Sequence, residues 1–129
     1  SSAQVLALKP DAAILAGLDV GVVGPAAGSG ASAPRGKVGV VGSSDADGIA
    51  FEVRAFFPGN NGLAEDPVTG SLNAALAQWL IGAGLAPAQY VASQGTCLGR
   101  AGRVHVQQEG DTIWVGGHSV TCMAGEVLL

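Results

Sequence analysis

The sequence predicts an α+β domain in which a curved, mostly antiparallel sheet wraps around one central, buried helix. Three observations predict it. The segment from Pro67 to about Ile81 (PVTGSLNAALAQWLI) places Leu72, Ala75, Leu76 and Trp79 at helical spacing, fills its other sides with Ala74, Ala77, Leu80 and Ile81, and carries no charge. A helix that is apolar all round is a buried helix. About six or seven short β-like runs bounded by turn residues are available to cover it. Glycine occurs 21 times, more than double its usual share of about 7%, so backbone can turn tightly and approach a helix closely. At about 1.5 Å per residue that helix is about 22 Å long, close to the height of a small sheet.

The elements follow in order. Val5 to Leu18 reads as an approach segment and a short helix, with Pro10 in the first turn, where a missing N–H does no harm, and Asp11 near the helix N-terminus. Asp19 to Val23 reads as a buried strand. Residues 24–36 (GPAAGSGASAPRG) have no periodicity and read as a flexible loop. Lys37 to Gly42 is a second β-like run, and Ser43 to Gly48 is turn chemistry ahead of a strand. In Ile49 to Phe57, Phe51, Val53, Ala55 and Phe57 share one face, while Glu52, Arg54 and Phe56 share the other. Pro58 to Asp66 reads as a loop. After the helix, Tyr90 to Gln94, Arg103 to Glu109, Thr112 to Val115 and His118 to Met123 are strands, with hairpin turns at Glu109-Gly110-Asp111 and Gly116-Gly117.

Composition bounds the function. The 129 residues allow one domain, 1–129, large enough for a core of its own. Charged residues are 12% and apolar ones 48%, which excludes a disordered chain. The formal net charge of −4 with six scattered cations argues against nucleic-acid binding. No 18-residue apolar run and no signal-peptide pattern occur, so the expectation is a soluble cytoplasmic protein with no membrane contact. Cys97 and Cys122, in neither CxxC nor zinc-finger spacing, read as free thiols of a reducing compartment: small buried hydrophobes or inert groups. The chain starts at Ser1 and its single methionine is Met123, which reads as a processed chain or a piece of something longer.

Two strings carry a resemblance. Arg54-Ala55-Phe56-Phe57-Pro58 followed by Gly62-Leu63-Ala64-Glu65-Asp66-Pro67-Val68-Thr69-Gly70-Ser71 resembles the signature of PhzF-like phenazine-biosynthesis proteins, which share the diaminopimelate epimerase-like fold. Gln94-Gly95, Leu98-Gly99-Arg100, Gly102-Arg103-Val104, Val115-Gly116-Gly117 and Gly125-Glu126-Val127-Leu128 resemble the C-terminal strands of that family. The resemblance runs from about Leu8 onward and implies an isomerase that moves a proton on a carbon skeleton with no cofactor and no metal. Members of that family are about twice as long and have two similar lobes with the active site in the cleft between them. This sequence resembles the C-terminal lobe only; nothing in it resembles the N-terminal lobe, which carries the family's proton-moving glutamate. The 24–36 loop is longer than the family's.

The candidate site lies where the helix begins. Backbone N–H groups of Thr69, Gly70 and Ser71 lack intrahelical partners and, with the helix dipole, suit a carboxylate. Gly70 lets a ligand reach the backbone, and Ser71 offers a hydroxyl donor. Asp66 ahead of Pro67 has the pattern of an N-cap followed by proline. The resemblance places it as the family's cleft aspartate, the candidate for proton transfer; one residue can fill both roles. Glu65 reads as solvated, and Trp79 as core. His105 and His118 read as structural or exposed strand residues. No triad can be assembled around a serine. Thr69 stands where the epimerases of this fold have a cysteine, so two-cysteine racemase chemistry is not supported. Gly28, Gly30 and Gly36 lack the following Lys-Ser or Lys-Thr of a phosphate loop.

The expected partners are a small carboxylate-bearing molecule and either a second copy of this chain, as a homodimer, or a complementary N-terminal lobe. The alternative reading is a module that binds a small carboxylate without turnover, or a structural half that assembles with another lobe. Low charge fits a face that expects a partner rather than water.

Overall fold

The computed structural model describes residues 1–26, 48–60 and 62–128. The expected loop from residue 27 onward, the β-like run 37–42 and the turn residues 43–47 lie outside the described residues. Along the chain come α1 (Ser2–Ala7), β1 (Val20–Pro25), β2 (Phe51–Gly59), β3 (Gly62–Asp66), α2 (Gly70–Gly82), β4 (Gln89–Gln94), a single 3₁₀ turn (Thr96–Leu98), β5 (Gly102–Glu109) and β6 (Thr112–Gly116). Among the described residues the strands form one six-stranded mixed sheet in the order β1-β2-β4-β5-β6, with β3 also on β2. The pairings are antiparallel except for β2 with β4.

β2 organises the sheet. Along one edge it pairs with β1 from Phe51 to Phe56. Its other edge is shared: Phe51–Val53 pair with β4 in parallel, and Ala55–Gly59 pair with β3 antiparallel. β3 and β4 therefore run toward each other along the same edge, and their C-terminal residues, Asp66 and Gln94, meet beside Arg54. The helix α2 leaves from that meeting point.

Both faces of β2 are covered, so Phe51 to Phe56 are buried without a break. On one face Phe51 and Val53 join Tyr90, Ala92, Val104 and Val106 against Ala77 and Leu80 of α2. The Phe51 and Tyr90 rings meet edge-to-face at 5.1 Å, the geometry that the ring quadrupoles favour. On the opposite face Arg54 ties the sheet to the N-terminal segment. Its Nη1 donates to the carbonyls of Val5 and Leu8, at 3.3 and 2.8 Å, and Nε and Nη2 form a fork on Glu65, at 2.9 and 2.7 Å. The guanidinium also lies 4.7 Å over the Phe56 ring.

Several expectations change. The first helix is Ser2–Ala7, not a segment starting at Pro10; Asp11 instead caps a separate turn, accepting from the N–H groups of Ala13 and Ile14. Gly24 and Pro25 belong to β1. Pro58 to Asp66 is no loop: β2 continues to Gly59 and turns into β3, because a hairpin here pairs backbone that a loop would leave unpaired. Helix α2 starts at Gly70 rather than Pro67. Its Ser71, Ala75, Gln78, Trp79 and Gly82 form an exposed stripe, and Trp79 is 57% exposed rather than core. Apolar composition on every side did not separate the stripe that meets the sheet from the one that does not. His118 to Met123 form no strand, so Gly116-Gly117 turns into no hairpin, and the residues from Gly117 to Leu128 are exposed. Glu65 is not solvated; it is the buried partner of Arg54. Cys97 and Cys122 are free but exposed. His105 and His118 are exposed, with rings 5.5 Å apart.

Candidate functional site

A cavity of about 440 Å³ opens where β3 passes into α2, lined by Asp19, Val20, Gly21, Ala55, Phe56, Phe57, Asp66, Thr69, Ser71 and Leu72. It collects three of the four predicted residues. Gly70 faces a neighbouring cavity of about 470 Å³, shared with Arg103 and His118. A larger cavity, about 600 Å³, lies against His105 and Trp114 and holds none of the predicted residues. The smaller cavity has the better claim because it gathers Asp66 with Thr69, Ser71 and Leu72 of the first turn of α2.

Its shape follows from local rules. Gly21 gives Leu72 room, since a Cβ at that position would collide with the Leu72 side chain. Pro67 follows Asp66 and keeps it extended at the end of β3. Thr69, not Asp66, is the N-cap, with φ −118° and ψ 101°. The two are linked directly: Thr69 Oγ1 donates to Asp66 Oδ2 at 2.7 Å. Asp66 thus accepts a hydrogen bond from the cap residue instead of being the cap.

Two carboxamides hold this turn from below. Gln94 is 0% exposed and Asn73 1%. Gln94 Nε2 donates to the Asp66 carbonyl and to Thr69 Oγ1, each at 3.1 Å. Gln94 Oε1 accepts from Thr69 N–H at 3.2 Å and from Asn73 Nδ2 at 2.8 Å. Asn73 Nδ2 also donates to the Thr69 carbonyl at 2.9 Å. The Thr69 amide is engaged in this way, so the amides at the start of α2 without intrahelical partners are those of Gly70, Ser71 and Leu72.

Asp19 lines the cavity with Asp66, so among the described residues two carboxylates and no cation face it. Reading the sequence missed Asp19, Gln94 and Asn73. Asp19 and Asp66 are distant in sequence and share the cavity only because β1 and β3 both flank β2. For Asn73 a signal existed: a carboxamide inside an uncharged helix must find partners when buried. Among the described residues no cluster of three metal-ligating side chains occurs, and no helix is long and apolar enough to cross a membrane.

A family model described as phenazine biosynthesis-like protein matches residues 3–125. The chain belongs to this family. A curated protein similar to this phenazine biosynthesis-like chain is described as an uncharacterized isomerase of Pasteurella multocida (strain Pm70). The two are 37% identical over 78 residues, 60% of this chain and 27% of the relative's length. The match thus spans about a quarter of that relative. No solved structure gives a significant match.

Proposed function

We propose that this phenazine biosynthesis-like chain supplies the C-terminal lobe of an isomerase that moves a proton between carbons of a small carboxylic acid. The observation that carries the reading is Asp66 at the rim of a cavity beside the N-terminus of α2. The helix terminus, through the Ser71 amide and hydroxyl on this cavity, holds the substrate carboxylate, and the Gly70 amide serves the neighbouring cavity. Asp66 holds a polar substituent or takes part in the proton transfer. The relative's description as an isomerase supports the reaction class. The cleft is finished by a second lobe, either a complementary chain or a second copy. That lobe supplies the further acid–base group that a two-site proton shift requires.

Deuterium incorporation from D₂O into a panel of small unsaturated amino and hydroxy acids tests this. The isolated chain should exchange slowly or not at all, and adding an N-terminal lobe should raise the rate. Rapid exchange by the isolated chain would remove the need for a second lobe. Saturable binding without exchange, with both lobes present, would favour a carboxylate-binding module.

A further inference from the structure

The Gln94 side chain makes all four hydrogen bonds available to a carboxamide: two donated from Nε2 and two accepted at Oε1. Its orientation is fixed by backbone. The Thr69 N–H can only donate, so the atom facing it is oxygen. The Asp66 carbonyl can only accept, so the atom facing it is nitrogen. A flipped amide would set donor against donor and acceptor against acceptor. The Thr69 hydroxyl oxygen then accepts a hydrogen bond from Gln94 Nε2, which turns the hydroxyl hydrogen toward Asp66 Oδ2. The chain Gln94 Nε2–H to Thr69 Oγ1–H to Asp66 Oδ2 has one direction only. Asn73 locks it from the other side by donating to Gln94 Oε1.

We infer that Gln94 and Thr69 are positioning residues for Asp66. The relay immobilises Asp66 through Oδ2 and leaves Oδ1, which has no partner among the described residues, as the oxygen that meets the substrate. This rests on the isomerase reading for the role of Oδ1, while the relay itself stands on the geometry. Hydrogen bonds in such a chain polarise one another, and aim at the ångström level is what a proton-transfer group requires.

The test reads Asp66 directly. In the unaltered chain, NMR should show slowly exchanging Gln94 carboxamide protons and a single Asp66 χ1 rotamer. Thr69→Val keeps the shape and removes the hydroxyl, so Asp66 should become rotationally averaged. Thr69→Ser restores the hydroxyl and should restore the single rotamer. Gln94→Glu replaces the donor facing Thr69 with an acceptor, turns the hydroxyl proton away from Asp66, and should average Asp66 as well. Where exchange is measured with both lobes, Thr69→Val should lower kcat at least about tenfold with KM little changed, and Thr69→Ser should recover it. The relay is overturned by Gln94 carboxamide protons that exchange as fast as exposed ones, by an unchanged Asp66 rotamer in Thr69→Val, or by equal loss in Thr69→Ser. If the rotamers behave as expected but no protein, altered or unaltered, exchanges deuterium, the isomerase reading fails and the positioning of Asp66 stands.

Discussion

Arg54 illustrates how much one buried ion can organise. It stands in the middle of β2, 7% exposed by side chain, with Glu65 at 10%. Its hydrogen bonds to Glu65 hold the guanidinium pKa above the ordinary value, against the opposing pull of burial. The fork satisfies both carboxylate oxygens, and the remaining nitrogen reaches the end of α1. Breaking such a pair from one side leaves a buried charge uncompensated. Glu65→Ala should therefore destabilise the chain by about 3 kcal/mol in urea denaturation. A second consequence concerns alkaline pH. Burial pushes the Tyr90 phenol up to about 12, above the usual value near 10. Between these values the unfolded chain loses the proton while the folded chain keeps it. Stability is thus unaffected by this group below pH 10 and falls as pH rises toward 12, by on the order of 2–3 kcal/mol. Tyr90→Phe should remove that part of the loss when urea midpoints at pH 9 and 11 are compared. Neither residue was legible at this level. Arg54 could be placed on a strand, but Glu65 fell in a segment that read as a loop, so a pairing that depends on β3 was out of sight.

At the scale of elements, the legible parts were those with strong local signals. β4, β5 and β6 were found within a residue or so, since their alternation is bounded by Gly110-Asp111, which forms the two-residue turn between Glu109 and Thr112. α2 was found from its spacing, but its start was placed three residues early. Asp-Pro imitates a cap, whereas the chain bends at Pro67 and the cap residue is Thr69, itself still extended. The stripe of α2 away from the sheet is where composition misled most. A Trp79→Gln substitution should change the stability of the isolated chain by less than about 0.5 kcal/mol, the usual range for surface positions. A drop of several kcal/mol in thermal or urea unfolding would mean that this stripe is covered in solution. The turn after β4 depends on Gly95, whose φ is +86° and whose Cβ would lie 2.7 Å from the Pro67 carbonyl. Both the angle and the closeness require glycine there, which is why Gln-Gly was a sound marker even though the contact it serves was invisible.

The whole molecule joins segments that the sequence keeps apart. The candidate site was legible as a string, Asp66 to Ser71, because helix-start chemistry is local. Its second carboxylate and its supporting carboxamides were not, because they arrive through sheet pairing. The meeting of β3 and β4 at the middle of β2 has a kinetic meaning. The link between Asp66 and Gln94 spans 28 residues, and β4 joins β2 in parallel only after the chain has passed through β3 and α2. Loop-closure entropy must be met before that pairing returns any stability. A chain that has formed only its hairpins would hold Asp66 and Thr69 but lack the glutamine that aims them. The contacts between Asp66, Thr69 and Gln94 should thus be among the last to form during folding, and amide protection in pulse-labelled hydrogen exchange should appear there late.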